Sequence, residues 1–204
     1  MNEMRKFAYL RSPKTASGTL TSAVKIVTGK NGKQWHAVNK LEPGCKGIHA
    51  LISGSLTAAD VPNRLRVASV RDPMHRAVSM YRYYVVADKS QWAYESRTFP
   101  DWMAELQELW LDPAFVAKGK PEVRPFSFVK PHLCEVIIDT ADIESGWERF
   151  LQASGLDPKG YQLKHHHQSP GGTPWQDEYD GESRRIVETL YEEDLAFYAN
   201  HRVL

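Results

Sequence analysis

Phe7-Ala8-Tyr9-Leu10, running into Arg11-Ser12-Pro13-Lys14-Thr15-Ala16-Ser17-Gly18-Thr19-Leu20, is the stretch on which the fold turns. Its first four residues are a compact apolar run, the size of a short buried strand. A proline, a glycine and small hydroxyl residues follow, which is turn chemistry. From there Leu20, Ala23, Val24 and Val27 recur at the i, i+3, i+4, i+7 spacing of a helix face. Gly29, Asn31 and Gly32 end that pattern.

The same strand, turn and helix grammar returns twice. Leu65 to Val70 reads as a strand, Asp72 as a helix N-cap with Pro73 at the first helical position, and Met74, Ala77, Val78 and Tyr81 as the buried stripe. Val136-Ile137-Ile138 reads as a third strand, followed by a helix with Ile143, Trp147, Phe150 and Leu151 inward and a stop at Gly155. Strands alternating with helices need crossover connections, so the sheet is mostly parallel and covered on both faces. The expected fold class is α/β with three layers.

Between the second and third units, residues 88–130 have a different texture. They hold Trp92, Trp102 and Trp110, several prolines and one amphipathic helix (Trp102, Met103, Leu106, Leu109, Trp110). This reads as an insertion over one end of the sheet, within a single domain spanning 1–204. Residues 156–180 read as a polar loop, and 182–199 as a helix with Ile186, Val187, Leu190 and Tyr191 inward.

Composition narrows the function. Across 204 residues, 26 Lys plus Arg face 25 Asp plus Glu, a net charge of +1. A general polyanion binder draws its affinity from clustered cations, so nucleic acid is not an expected partner, though a local basic pocket is compatible with this balance. Cys45 and Cys134 are too few for a disulfide scaffold and lack metal-ligand spacing. No apolar run near the start suits a signal peptide or a membrane span. The expectation is a protein of the bacterial cytoplasm rather than of a secretory lumen; its oligomeric state is left open.

In open parallel sheets ligands bind where strands end and helices begin, because helix N-termini present N–H groups and a positive dipole end. The turn Ser12–Thr19 suits a phosphate there. Lys14 supplies a cation, Gly18 permits close backbone approach, and Thr15, Ser17 and Thr19 add hydroxyls. The alternative is a polar turn that merely caps the helix. It is not a Walker A loop, which needs lysine immediately before the helix-opening hydroxyl. Val136-Ile137-Ile138-Asp139 has the look of a Walker B strand, which keeps a nucleotide kinase or hydrolase as the competing reading. A non-catalytic nucleotide- or glycan-binding protein is the third.

At the second junction Arg71 ends the strand and Asp72-Pro73 opens the helix. Arg76, Ser79 and Tyr83 fall on one stripe, expected to lie away from the buried side, and Arg71 with Ser79 could clamp a second phosphate. An arginine paired with Asp72 above a solvated face is the plainer reading.

Taken together the two junctions resemble a known family. Pro13-Lys14-Thr15-Ala16-Ser17-Gly18-Thr19-Leu20 looks like the loop by which sulfotransferases hold the 5′-phosphosulfate of 3′-phosphoadenylyl sulfate (PAPS). Val70-Arg71-Asp72-Pro73-x-x-Arg76-x-x-Ser79-x-Tyr81 looks like their 3′-phosphate site. Tyr191-x-x-Asp194-x-x-x-Tyr198 resembles the closing helix of the Golgi-type carbohydrate sulfotransferases, the family of heparan 2-O- and chondroitin sulfotransferases. The resemblance implies a P-loop-like core, PAPS as donor with 3′,5′-ADP (PAP) as product, a hydroxyl acceptor of saccharide type, and no metal. By the same resemblance Lys14 meets the bridging oxygen, Thr15, Ser17, Gly18 and Thr19 bind the 5′-phosphate, and Arg71 and Ser79 bind the 3′-phosphate. His49, in Gly47-Ile48-His49, falls in the kind of stretch that holds a catalytic base in relatives; the plainer reading is a histidine bonded inside a strand. Lys164-His165-His166-His167-Gln168-Ser169 departs from the family's segment near the nucleotide. Its adjacent histidines diverge too much to share a metal.

Overall fold

A computed structural model describes residues 6–27, 35–38, 49–52, 57–61, 63–87, 98–112, 125–163 and 173–202, with the backbone alone for 35–38 and 49–52. The chain forms two compact units and passes between them three times. One unit joins residues 1–70 to 128–167, and the other joins 71–127 to 168–204.

The first unit is a five-stranded, wholly parallel sheet. Its strands are β1 (Phe7–Leu10), β2 (Trp35–Val38), β3 (His49–Ile52), β4 (Leu65–Val70) and β5 (Val136–Asp139), in the spatial order β2-β3-β1-β4-β5. Each adjacent pair runs parallel, so that Ala8 lies opposite both Ala50 and Arg66. All of β1 is buried, as expected for a strand covered on both faces, which reads as a continuous apolar run rather than an alternation. Of the strands, β2 was not anticipated from the sequence, and β3 only in the plainer reading of His49 as a strand residue.

One face of the sheet, with Phe7, Tyr9, Leu65, Val67, Val136 and Ile138, packs on α1 (Ser17–Val27) and α4 (Ile143–Ala153). The helix stripes are the expected ones: Leu20, Ala23, Val24 and Val27 from α1, and Ile143, Trp147, Phe150 and Leu151 from α4. Phe7 and Phe150 meet edge to face with centroids 4.9 Å apart. Gly146 brings α4 close: a Cβ there would lie 2.9 Å from Ile138 Cα. After α4 the chain turns through Gly155 at φ 78°, the left-handed value that favours glycine. The opposite face presents Ala8, Leu10 and Ala68 to Ala58, Val61 and Val129. In this unit that face is covered by short 3-10 turns, Ala58–Asp60 and Pro131–Leu133 among them, rather than by a long helix. The chain is α/β: a parallel sheet flanked by helices.

The second unit is helical among its described residues. It contains α2 (Pro73–Tyr81), running into a π-helical turn at Arg82–Val86, then α3 (Phe99–Leu111), α5 (Gly181–Leu190) and α6 (Glu192–Arg202). Met80, Tyr81, Phe99, Trp102, Met103, Leu106, Ile186 and Val187 form its core. The helix expected in the insertion is α3, whose Trp102 is fully buried, a core residue with no sugar-facing surface.

Two expectations need correction here. The stripe of Arg76 and Ser79 is not solvated: Arg76 is 1% and Ser79 3% exposed, and only Tyr83 opens to solvent. The cause is the closing helix, because Asp194 of α6 comes within 3.6 Å of Arg76 and the Tyr191 ring lies under its guanidinium. The C-terminal helix also breaks at Tyr191 instead of running through 182–199. Glu192, Glu193 and Asp194 then occupy the first turn of α6, where acids are favourable, whereas at the end of a longer α5 they would oppose the dipole. Asp194 accepts from the Phe126 and Ser127 N–H groups at 2.8 and 2.7 Å, so the resembling Tyr191/Asp194 motif ties α2, α6 and residues 126–127 together.

Candidate active site

At the first junction β1 ends at Leu10 and α1 opens at Ser17. Lys14 and Ala16 both adopt left-handed backbone, φ 61° and 55°, and Thr15 between them does not. Alternating handedness of this kind turns successive N–H groups toward one concavity, the nest geometry that receives anions. Each non-glycine residue held there costs about 1–2 kcal/mol, so something must hold it.

A buried hydroxyl chain does so. The Thr15 hydroxyl donates to the Ser12 carbonyl at 2.9 Å and lies 2.7 Å from Ser69 Oγ of β4. The Tyr9 hydroxyl lies 2.8 Å from the same Ser69 Oγ. Each hydroxyl owns one proton. Thr15 spends its own on Ser12, so Ser69 donates to Thr15, and Tyr9 in turn donates to Ser69. Burial pushes the Tyr9 phenol well above its ordinary range, which keeps that proton available to give. The turn is thereby tied to two strands of the sheet.

Beyond the nest, the Leu20 N–H bonds the Ala16 carbonyl at 3.0 Å. The N–H groups of Ser17, Gly18 and Thr19 fall in the first turn, ahead of any intrahelical acceptor. No acidic residue occupies that turn of α1, whereas α3, α4, α5 and α6 each carry at least one in theirs. An anion site needs such a gap, because a carboxylate there would compete for the same amides. Gly18 is exposed, Pro13, Lys14 and Ala16 are half-buried, Thr15, Ser17 and Thr19 are buried, and Leu20 is in the core. With its hydroxyl spent, Thr15 can offer a ligand only its backbone.

The second junction works differently. Asp72 caps α2 with its own carboxylate, accepting from Met74 N–H at 2.9 Å and His75 N–H at 3.1 Å. The helix amides are therefore already satisfied, and an anion there must be held by side chains. Arg71 is a suitable one. Burial holds its guanidinium down to about 10; Asp72 opposes that shift, while Arg76 and Arg82 add to it. A cation kept in poor solvent among other cations gains more than a solvated one from a dianionic partner. Ser79 Oγ is buried and has no hydrogen-bond partner among the described residues. Buried hydroxyls are nearly always bonded, so an orphan on the helix that follows Arg71 fits a ligand-binding role.

A sequence model of the sulfotransferase family matches residues 1–199. The chain belongs to the sulfotransferase family. No curated protein matches it. As a sulfotransferase it moves a sulfuryl group from a nucleotide donor to an acceptor, and the competing reading as a nucleotide kinase or hydrolase falls away. The Walker B resemblance has a structural explanation in this sulfotransferase: the Asp139 carboxylate accepts from Ala141 N–H at 2.9 Å, capping the 3-10 turn that follows β5.

Other expected residues fall elsewhere. The backbone of His49 opens β3, opposite Trp35 of β2 and one residue before the Ala50–Ala8 pairing. It sits at the starting end of its strand, whereas the Ser12–Thr19 turn leaves the finishing end of β1; its side chain is outside the described part. His165, His166, His167, Trp92 and Cys45 also lie outside the described residues. The Cys134 thiol is pushed up to about 12 by burial. No described helix is long and apolar enough to cross a membrane. The residues that the sequence did not single out are Tyr9, Ser69 and His75. Only Ser69 carried a signal, as a hydroxyl among the apolar residues Val67, Ala68 and Val70 that had to find a partner.

Proposed function

We propose that this sulfotransferase takes its sulfuryl group from PAPS and delivers it to a hydroxyl, most simply that of a saccharide, as in the Golgi-type carbohydrate branch it resembles. The observation that carries the reading is the turn at Lys14 and Ala16. It spends conformational energy on a nest of N–H groups ahead of a helix whose first turn is free of acids. Such a nest suits a 5′-phosphosulfate. Arg71 and the orphan hydroxyl of Ser79 suit a 3′-phosphate.

In the reaction the acceptor oxygen forms a bond to sulfur as the sulfur–bridging-oxygen bond breaks, and the electron pair of that bond leaves with PAP. Sulfuryl transfer resembles phosphoryl transfer in its loose, in-line transition state, so positioning and charge stabilisation dominate. Lys14 is proposed to neutralise the charge that grows on the bridging oxygen, an interaction stronger in the transition state than in the ground state. Thr15, Ser17, Gly18 and Thr19 would hold the 5′-phosphate, chiefly through backbone amides.

His49 is the proposed base for the acceptor proton, since an imidazole titrates in the useful range. The register makes this the sharpest point to test: about 10 Å of strand separates the two ends of a four-residue β3. If His49→Ala keeps wild-type turnover, the base lies elsewhere.

The deciding experiment is a thermal-shift comparison of PAP with ATP plus magnesium, followed by transfer from radiolabelled PAPS to a mixed acceptor extract containing glycans, lipids and small metabolites. Stabilisation by PAP alone and label in glycan are the expected results. Preference for ATP, or no response to PAP, would overturn the donor assignment. Label in a non-glycan acceptor would overturn only the acceptor class.

A further inference from the structure

Arg71 donates from Nη2 to Nε2 of His75, one turn along α2. A guanidinium is always a donor, so the imidazole must accept there, and its remaining proton sits on Nδ1. The ring is therefore neutral. It is also clamped: Trp175 stacks on it with centroids 5.5 Å apart and planes within 14°. Trp175 belongs to a 3-10 turn, Trp175–Glu178, that is bolted to the same helix from both sides. The Arg82 guanidinium donates to Glu178 at 2.7 Å and to the Thr173 carbonyl at 2.5 Å. The Tyr179 hydroxyl donates to the Met74 carbonyl at 2.8 Å.

A guanidinium binds a phosphate well only when the plane of its fork is set beforehand, since ordering it on binding costs side-chain entropy. Acceptance by a carboxylate would set the plane too, but it would also cancel the charge. A neutral imidazole fixes the plane without itself cancelling the charge. We propose that His75 is a positioning residue that sets donor specificity, its Nε2 orienting Arg71 for a 3′-phosphate and the Trp175 turn holding the ring in place. This rests on the assignment of Arg71 to the 3′-phosphate, and it extends the site to two residues outside the motif. What His75 governs is the preference for a 3′-phosphorylated adenosine nucleotide over one lacking that group.

The test is calorimetric titration of the full chain with PAP and with 5′-AMP. Wild type is expected to prefer PAP strongly. His75→Ala should lower that preference about tenfold, the scale of one charge-assisted hydrogen bond, with 5′-AMP affinity unchanged. In His75→Gln the side-chain carbonyl stands near the original Nε2, and most of the preference should survive. Trp175→Ala, which removes a part-exposed ring, should reproduce a share of the loss, and Trp175→Phe should restore it. These two variants decide the matter if His75→Ala does not fold. Wild-type preference in both His75→Ala and Trp175→Ala overturns the proposal, and so does equal loss of PAP and 5′-AMP binding, which would mark a merely structural role. A wild-type chain that does not bind PAP overturns the donor reading itself, and this inference with it.

Discussion

Lys14 and Ala16 place strained backbone in the turn proposed to hold the donor. Both occupy a conformation natural to glycine, and neither is glycine. Substituting Ala16 with glycine should relieve about 1–2 kcal/mol of native strain against about 0.5–1 kcal/mol of added freedom in the unfolded chain. The midpoint of urea unfolding should hold steady or rise slightly. Ala16→Val should lower it clearly, because a β-branched side chain fits left-handed backbone worst. A midpoint that drops for glycine and not for valine would mean the turn is not strained as described. The kinetic roles separate by residue as well. Lys14→Ala should depress kcat more than donor affinity, because its proposed contact strengthens as the bond breaks; Arg71→Ala should chiefly weaken donor binding. The reverse pattern in steady-state rates would exchange the two assignments.

At the scale of elements, the close seat of α4 on β5 is the most sensitive joint. A methyl group on Gly146 would meet the Ile138 Cα, which is backbone and cannot swing aside. Gly146→Ala should therefore cost about 1–3 kcal/mol despite alanine's better helix propensity, read as a lower urea midpoint with an unchanged slope; a neutral or stabilising result would show that the helix can lift. Elements also differ in how legible they were. The three strand–turn–helix units were readable because each helix repeats its apolar stripe over more than two turns. Trp35–Val38 and His49–Ile52 were not, since four residues are too few to establish a period and their neighbours are rich in glycine, lysine and proline. The break at Tyr191 was hidden because the apolar spacing runs on across it, although three consecutive acids announce a new helix start. In the candidate site, the turn proposed to hold an anion was suggested by residue types. The hydroxyl chain that fixes it was not, because Ser69 stands 60 positions from Tyr9 and 54 from Thr15 and only folding brings them together.

For the whole molecule, response to acid reports on how its charges are held. His75 is pushed down to about 4, first by burial and then by the Arg71 charge, with Asp72 opposing and Arg82 adding. An unfolded histidine takes its proton near pH 6.5. Between that pH and about 4 the unfolded chain binds a proton that the folded chain refuses, so stability should fall as pH is lowered through this window. Asp194 runs the other way, its buried carboxyl shifted up so that acid relieves it. Asp60 and Asp180, held down by hydrogen bonds from Thr57 and Ser183, lose their contributions only at lower pH. Comparing urea midpoints of wild type and His75→Gln across pH 4.5–7 isolates the imidazole. The wild-type curve should slope toward lower stability in acid more steeply than the variant's, and superimposable curves would show that the ring is not kept neutral. The threefold passage of the chain between its two units has a further consequence, for synthesis. Each unit is closed by a segment translated long after its first half, so the apolar sides of α2 and α3 emerge from the ribosome before α5 exists to cover them. At roughly 5–20 residues per second that exposure lasts several seconds, long enough to make a nascent chain of this enzyme a client for chaperones before it is ever a catalyst.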